Sequence, residues 1–144
     1  MKKTTLPLIC FLALSFVSLQ TPEADREILK SKLEGVWKKL IYTDIYEIQH
    51  EWARPKFKFI SKERFAWMDF DDETGQIFGS GGGTYTFDGT NYVENLEYYL
   101  EDSTVIGTQI AFTAEFKKGK WYHKGTFKTP NGDIEIKEVW ERAE

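Results

Sequence analysis

Apolar and polar residues alternate along most of this chain, and the period is two. The clearest run is 120–128, where Lys120, Tyr122, Lys124, Thr126 and Lys128 share one face and Trp121, His123, Gly125 and Phe127 share the other. Successive side chains of a strand point to opposite faces, so such alternation reads as a half-buried strand. The lysines require water, which turns Trp121, His123 and Phe127 inward. Eight such runs are predicted: 36–48, 56–61, 64–70, 76–87, 91–100, 107–116, 120–128 and 133–142. Only 23–33 carries helical spacing, through Ile28, Leu29 and Leu33, and Gly35 ends it.

The connections are too short for crossover helices. Lys62-Glu63, 71–75, Asp88-Gly89, Lys117-Lys118-Gly119 and 129–132 are turns, and 100–106 is a longer loop. The sheet is therefore antiparallel and meandering. Eight strands close naturally into an up-and-down barrel, which removes exposed edges; a two-sheet sandwich is the alternative.

Hairpins carry the parity from strand to strand. Phe116 faces Trp121 across the Lys-Lys-Gly turn, which sends Ile110, Phe112 and Ala114 inward. Either register of the last hairpin leaves Ile134, Ile136, Glu138, Trp140 and Arg142 on the face of His123. The Asp88-Gly89 turn couples Tyr85 and Phe87 to Tyr92, Glu94, Leu96 and Tyr98, all expected inside. In the second run Phe57 and Phe59 are expected inside, with Lys56 and Lys58 in solvent. The third run has two readings: one turn length turns Ala66, Met68 and Phe70 inward, the other Phe65 and Trp67. Beyond Trp37 the first run is equally open, because Lys38-Lys39 interrupts its alternation in the manner of a bulge.

Residues 1–20 read as a signal peptide: Lys2 and Lys3 precede a mostly apolar run, 6–17, too short to span a bilayer. The cleavage site is not sharply marked, and an uncleaved anchor is the alternative. Residues 21–34 then form a linker and short helix, and 35–144 the barrel. The only cysteine, Cys10, lies within the apolar run, so the exported chain, periplasmic or secreted, carries no thiol for a disulfide, thiol catalysis or a zinc–thiolate site. The net charge of −4 becomes −6 without Lys2 and Lys3, which argues against nucleic acid as a partner. Five Trp, seven Tyr and eleven Phe suit a sheet curled around its own side chains.

A short helix leading into Gly35-x-Trp37 at the start of the first strand resembles the lipocalin and wider calycin pattern. That resemblance implies a tryptophan plugging the closed end of the barrel, with an arginine from the last strand, here Arg142, across its ring. Gly35, Trp37, Phe116, Trp121, Trp140 and Arg142 are accordingly expected to form a structural floor. Arg64-Phe65-Ala66-Trp67, the Glu-Thr-Gly turn, 82–86, Tyr92-x-Glu94 and the ending 138–142 also resemble small secreted lipocalin-like proteins of Bacteroidetes-type bacteria. The resemblance covers roughly residue 33 onward and implies a fold more firmly than a ligand.

An aromatic interior broken by a few convergent polar groups is the pattern of a small-molecule site. The expected cavity residues are Phe57, Phe59, Tyr85, Glu94, Tyr98, Phe112, His123, Phe127 and Glu138, with Trp52 at the mouth. A buried imidazole and carboxylate must find partners or change protonation. His123 and Glu138 therefore either satisfy each other, orient a ligand's polar group together with Glu94, or act as an acid–base pair. No metal-ligand spacing, cofactor fingerprint or nucleophile–histidine motif accompanies them. Ser80-Gly81-Gly82-Gly83 lacks the Lys-Ser/Thr and following helix of a phosphate loop, and reads as a place where a strand bends or leaves room inside. The leading reading is an exported, non-enzymatic protein that binds a small, partly apolar ligand and needs no cofactor. The alternatives are a structural or interaction module with a filled barrel and, third, a barrel enzyme using His123 and Glu138.

Overall fold

The computed structural model describes residues 23–43 and 47–143. The segment read as a signal peptide lies outside them. One helix, α1 (Glu23–Leu33), precedes nine strands: β1 (Gly35–Thr43), β2 (Gln49–Glu51), β3 (Lys56–Ile60), β4 (Arg64–Phe70), β5 (Ile77–Phe87), β6 (Asn91–Tyr99), β7 (Gln109–Lys117), β8 (Lys120–Thr129) and β9 (Gly132–Arg142). β1 and β3 through β9 make a closed eight-stranded antiparallel up-and-down barrel, with β9 pairing back onto β1 from Trp37↔Arg142 to Tyr42↔Glu138. β2 pairs only with the far end of β1 and extends the wall as a short hairpin. The run expected as one strand over 36–48 thus stops at Thr43, and 44–46 lie outside the described residues.

Tight turns fix the pairing of the last three strands and of β5 with β6. Lys118 and Gly119 both take positive φ (52° and 74°), the two-residue geometry that matches strand twist. Phe116 consequently pairs with Trp121. The final hairpin pairs Thr129 with Gly132, so His123 sits directly opposite Glu138 and Trp121 opposite Trp140. The Asp88 carboxylate accepts the N–H groups of Thr90 and Asn91 at 2.9 and 2.7 Å, closing the β5–β6 turn.

Two expectations about facing are corrected. In β3 the parity is inverted: Lys56, Lys58 and Ile60 point inward, while Phe57 and Phe59 point out. Trp37, an inward residue of β1, pairs with Lys58, and Ile60 pairs with inward Phe65. Lys58 is 3 % exposed and Phe59 40 %. The lysine tolerates burial because Glu94 meets its amine at 2.6 Å across the barrel. Phe57 stacks on outward-facing Phe70 at 6.1 Å instead.

The second correction is Tyr98. β6 slips by one residue against β5: Gly83 pairs with Leu96 but Gly82 with Tyr98. Glu97 is the extra residue, and parity flips past it. Leu96 is therefore inward, Tyr98 outward, and Tyr99 takes the inward position with its ring 5.9 Å from both Trp67 and Phe127. The undecided third run resolves with Phe65, Trp67 and Asp69 inside. Trp67 fits because β5 has no side chain at Gly81, where a Cβ would lie 2.8 Å from the indole nitrogen. In β1 the irregularity falls at Leu40, after inward Lys39.

One end of the barrel is solid. Trp37 meets Trp121 edge-on at 5.4 Å and Phe116 at 6.1 Å, and Trp121 packs on Trp140. α1 crosses this end and inserts Leu33, which is fully buried. The Trp37 indole N–H donates to the Leu33 carbonyl at 2.7 Å, and the Arg142 guanidinium lies 4.3 Å over the Trp37 ring. Arg142 also donates to the carbonyls of Lys32 (2.7 Å) and Glu34, tying the helix C-terminus to the last strand. Gly35, at φ +127°, is the joint: a Cβ there would collide with the Arg142 guanidinium.

Candidate functional site

Above the aromatic floor the barrel is hollow. A cavity of about 240 Å³ opens toward the end that carries Trp52 and Glu101, and Trp140 lies at its base. Its apolar lining is Leu96, Ile110, Phe112, Phe127 and Ile136, from β6 to β9. Its polar lining is Lys56 and Lys58 from β3, Asp69 from β4, Glu94 from β6, His123 from β8 and Glu138 from β9. Alternation on each strand delivers these groups to one space.

Most of the interior charges are paired. Lys58 and Glu94 meet at 2.6 Å, both almost fully buried. Glu138 accepts from the Lys39 amine at 2.5 Å, from His123 Nε2 at 2.8 Å and from the Trp140 indole at 3.2 Å. Asp69 accepts two bonds from Arg54 at the rim, each 3.1 Å. Burial alone would raise the Glu138 carboxyl, but Lys39, the His123 hydrogen bond and Lys56 together hold it well below the usual carboxylate range. Burial lowers His123 from its ordinary value and Lys58 lowers it further, against the opposing pull of Glu138. The imidazole is thus neutral at pH 7 and donates from Nε2 to an ionised Glu138. Its ring stacks on Phe112 at 4.2 Å, 8° from parallel.

Lys56 differs from the other two interior lysines. Its amine has no carboxylate partner among the described residues and rests on aromatic faces, 3.9 Å from the Trp67 ring centre and 5.3 Å from that of Trp52. Burial lowers its pKa to about 8, although Glu138 and Asp69 pull upward. Trp52 itself is held by its backbone N–H to the Leu40 carbonyl (2.7 Å), and its ring covers the Lys39 amine and meets Tyr42 edge-on.

Of the expected cavity residues, Glu94, Phe112, His123, Phe127 and Glu138 line this space, and Trp52 lies at its mouth. Tyr85 points inward but sits below it, against Tyr92, with its hydroxyl donating to the Ser61 carbonyl. Phe57, Phe59 and Tyr98 are on the outside; Phe59 and Tyr98 line an apolar groove on the outer wall. Sequence reasoning missed Lys39, Lys56, Lys58, Asp69 and Tyr99, and had Trp67 inside in one of its two readings of the third run. A usable signal was present: hairpin parity had already placed two carboxylates, Glu94 and Glu138, inside. Buried carboxylates require buried cations, and the even-spaced lysines of β3 could have supplied them.

The fold has solved counterparts. A lipocalin-like protein from Bacteroides uniformis superimposes with a TM-score of 0.53 at 15 % identity, over 76 % of this chain and 97 % of that one. A redesigned β-barrel gives 0.50, also at 15 % identity, over 83 % and 96 %. No protein-family model matches the chain, and no curated protein matches it by sequence. At this identity the likeness is one of fold alone: a lipocalin-like barrel.

Proposed function

We propose that this protein is exported and binds a small, partly apolar molecule inside the barrel. The observation that carries the reading is the hollow itself. An interior of about 240 Å³ is lined by apolar side chains together with ionised groups. A barrel serving only as scaffold gains from filling its core, since each void forfeits packing contacts. Here the chain instead turns two lysines, Lys56 and Lys58, toward the space. The lipocalin-like architecture of the Bacteroides uniformis protein supports the same reading by analogy of fold. Export rests on the Lys2-Lys3 start and the apolar run that follows. Glu94, His123 and Glu138 shape the polar wall, and the apolar contact comes from Phe112 and Phe127 with Leu96, Ile110 and Ile136.

Native mass spectrometry of the protein purified from its own producing cells tests this. The expected result is a small-molecule adduct that disappears on denaturation and is absent from Ile110→Trp, whose indole fills the cavity. A protein carrying no adduct, and acquiring none when incubated with a library of small organic compounds, contradicts the proposal.

A further inference from the structure

We infer that the ligand of this cavity carries an acidic group, received by the Lys56 amine and the Trp52 indole N–H. This rests on the reading that the cavity binds a ligand at all. Three amines face the interior. Lys39 and Lys58 each hold a carboxylate, at 2.5 and 2.6 Å. Lys56 holds none among the described residues, and the two acids that act on it are committed: Glu138 to Lys39, His123 and Trp140, and Asp69 to Arg54; Glu101 also lines the cavity but forms no ion pair with Lys56. The Trp67 and Trp52 faces offset part of the cost of burying its ammonium, but an indole face is a weaker partner than a carboxylate.

A second donor beside it is also unanswered. The Trp52 indole nitrogen is buried and has no hydrogen-bond acceptor among the described residues. Both Trp52 and Lys56 line the cavity. A neutral carbonyl would answer the indole and leave the ammonium unpaired, and a cationic ligand would set like charges together. A carboxylate answers both. Burial lowers the Lys56 pKa to about 8; Glu138 and Asp69 act upward on it, and Lys39 and Lys58 act downward. The amine is therefore mostly protonated at pH 7, and a bound carboxylate favours that form.

Size narrows the class. The cavity of about 240 Å³ exceeds the roughly 150 Å³ that suffices for benzene and lies below the roughly 300–1,000 Å³ of drug-sized pockets. The ligand is then a compact organic acid about one ring in bulk, with its ring against Phe112 and Phe127, and a long acyl chain does not fit.

Three probes of matched size separate the possibilities: phenylacetate, phenylacetamide and phenethylamine, titrated calorimetrically at pH 7 into wild type, Lys56→Met and Lys56→Arg. Wild type is expected to bind the acid at least tenfold tighter than the amide, and the amine weakest. Lys56→Met should lose the preference while keeping the amide affinity, and Lys56→Arg should retain it. Circular dichroism establishes that each variant is folded. The preference for the acid in wild type should also shrink above pH 8 to 9, as the amine deprotonates. Equal affinity for acid and amide in wild type overturns the inference but leaves the cavity a binding site. A preference that survives Lys56→Met overturns the role of Lys56. Binding of none of the three overturns the inference as well, and the binding reading then stands or falls on native mass spectrometry.

Discussion

The two ends of this barrel are built on opposite principles. At the floor, Trp37, Phe116, Trp121 and Trp140 pack on one another and α1 seals the opening, so stability comes from apolar area and shape. Toward the mouth, the barrel carries Lys58, Glu94, His123 and Glu138 around a cavity, with Lys39 paired to Glu138. There each charge is tolerable only through its partner. A loss at the floor removes apolar contact, whereas the polar wall is a coupled set in which one loss strands another group. The lesson is a division of labour: packing holds the barrel together, and paired charges keep part of it open.

This contrast can be broken in a graded way. Trp37→Ala removes the largest block of the floor and should cost about 3–5 kcal/mol in urea unfolding. An effect under 1 kcal/mol would mean that the floor is not the stabilising end. Glu94→Leu, which leaves the Lys58 ammonium buried and alone, should cost about 3 kcal/mol, while Lys58→Met/Glu94→Leu together should recover to within about 1 kcal/mol of wild type. If the double variant is no better than the single one, the pair is not the coupled unit described here.

Acidity separates the two ends further, because the floor core of Trp37, Trp121 and Trp140 contains no titrating side chain. His123 has a lower pKa in the fold than in the unfolded chain, because burial opposes its charge. Below about pH 6.5 the unfolded state therefore binds more protons, and stability falls as pH drops. The urea midpoint should decline from pH 7 to 5.5, and His123→Gln should flatten that decline. The Glu138 carboxyl is held low, so its contribution is lost only under more acid conditions, below its unfolded value of about 4.5. A midpoint that rises from pH 7 to 5.5 would reverse the assignment of a neutral His123. The smallest effect belongs to the outer surface: Arg64→Ala breaks the exposed Arg64–Glu97 pair and should cost under about 1 kcal/mol.

What could be read from the sequence follows the same divide. β7, β8 and β9 are joined by two-residue turns, so one inward residue fixes the parity of all three, and the apolar floor follows from it. His123 and Glu138 were legible by that route, and Glu94 through the Asp88-Gly89 turn that couples β5 to β6. Three features were not. The β3–β4 connection runs over residues 61–64, which leaves Ile60 opposite Phe65, and the Lys62-Glu63 pair alone gives two parities. The extra residue at Glu97 exchanges Tyr98 for Tyr99, and nothing in the local alternation marks a bulge there. Lys58 defeats the rule that a lysine seeks water, because its partner Glu94 lies 36 residues away and on a different strand. Local pattern cannot report a charge neutralised across the barrel.

The inversion of β3 is what makes the polar wall, and it can be measured on the unmodified protein. Lysine labelling with an N-hydroxysuccinimide ester under native conditions, read residue by residue by mass spectrometry, reports which amines meet solvent. Lys38, Lys62, Lys124 and Lys128 are exposed and should label quickly, Lys39 and Lys58 should stay protected until the barrel unfolds, and Lys56 should react at an intermediate rate through the mouth. Labelling of Lys58 as fast as Lys124, with Phe59 and not Lys58 facing the core, would contradict the account.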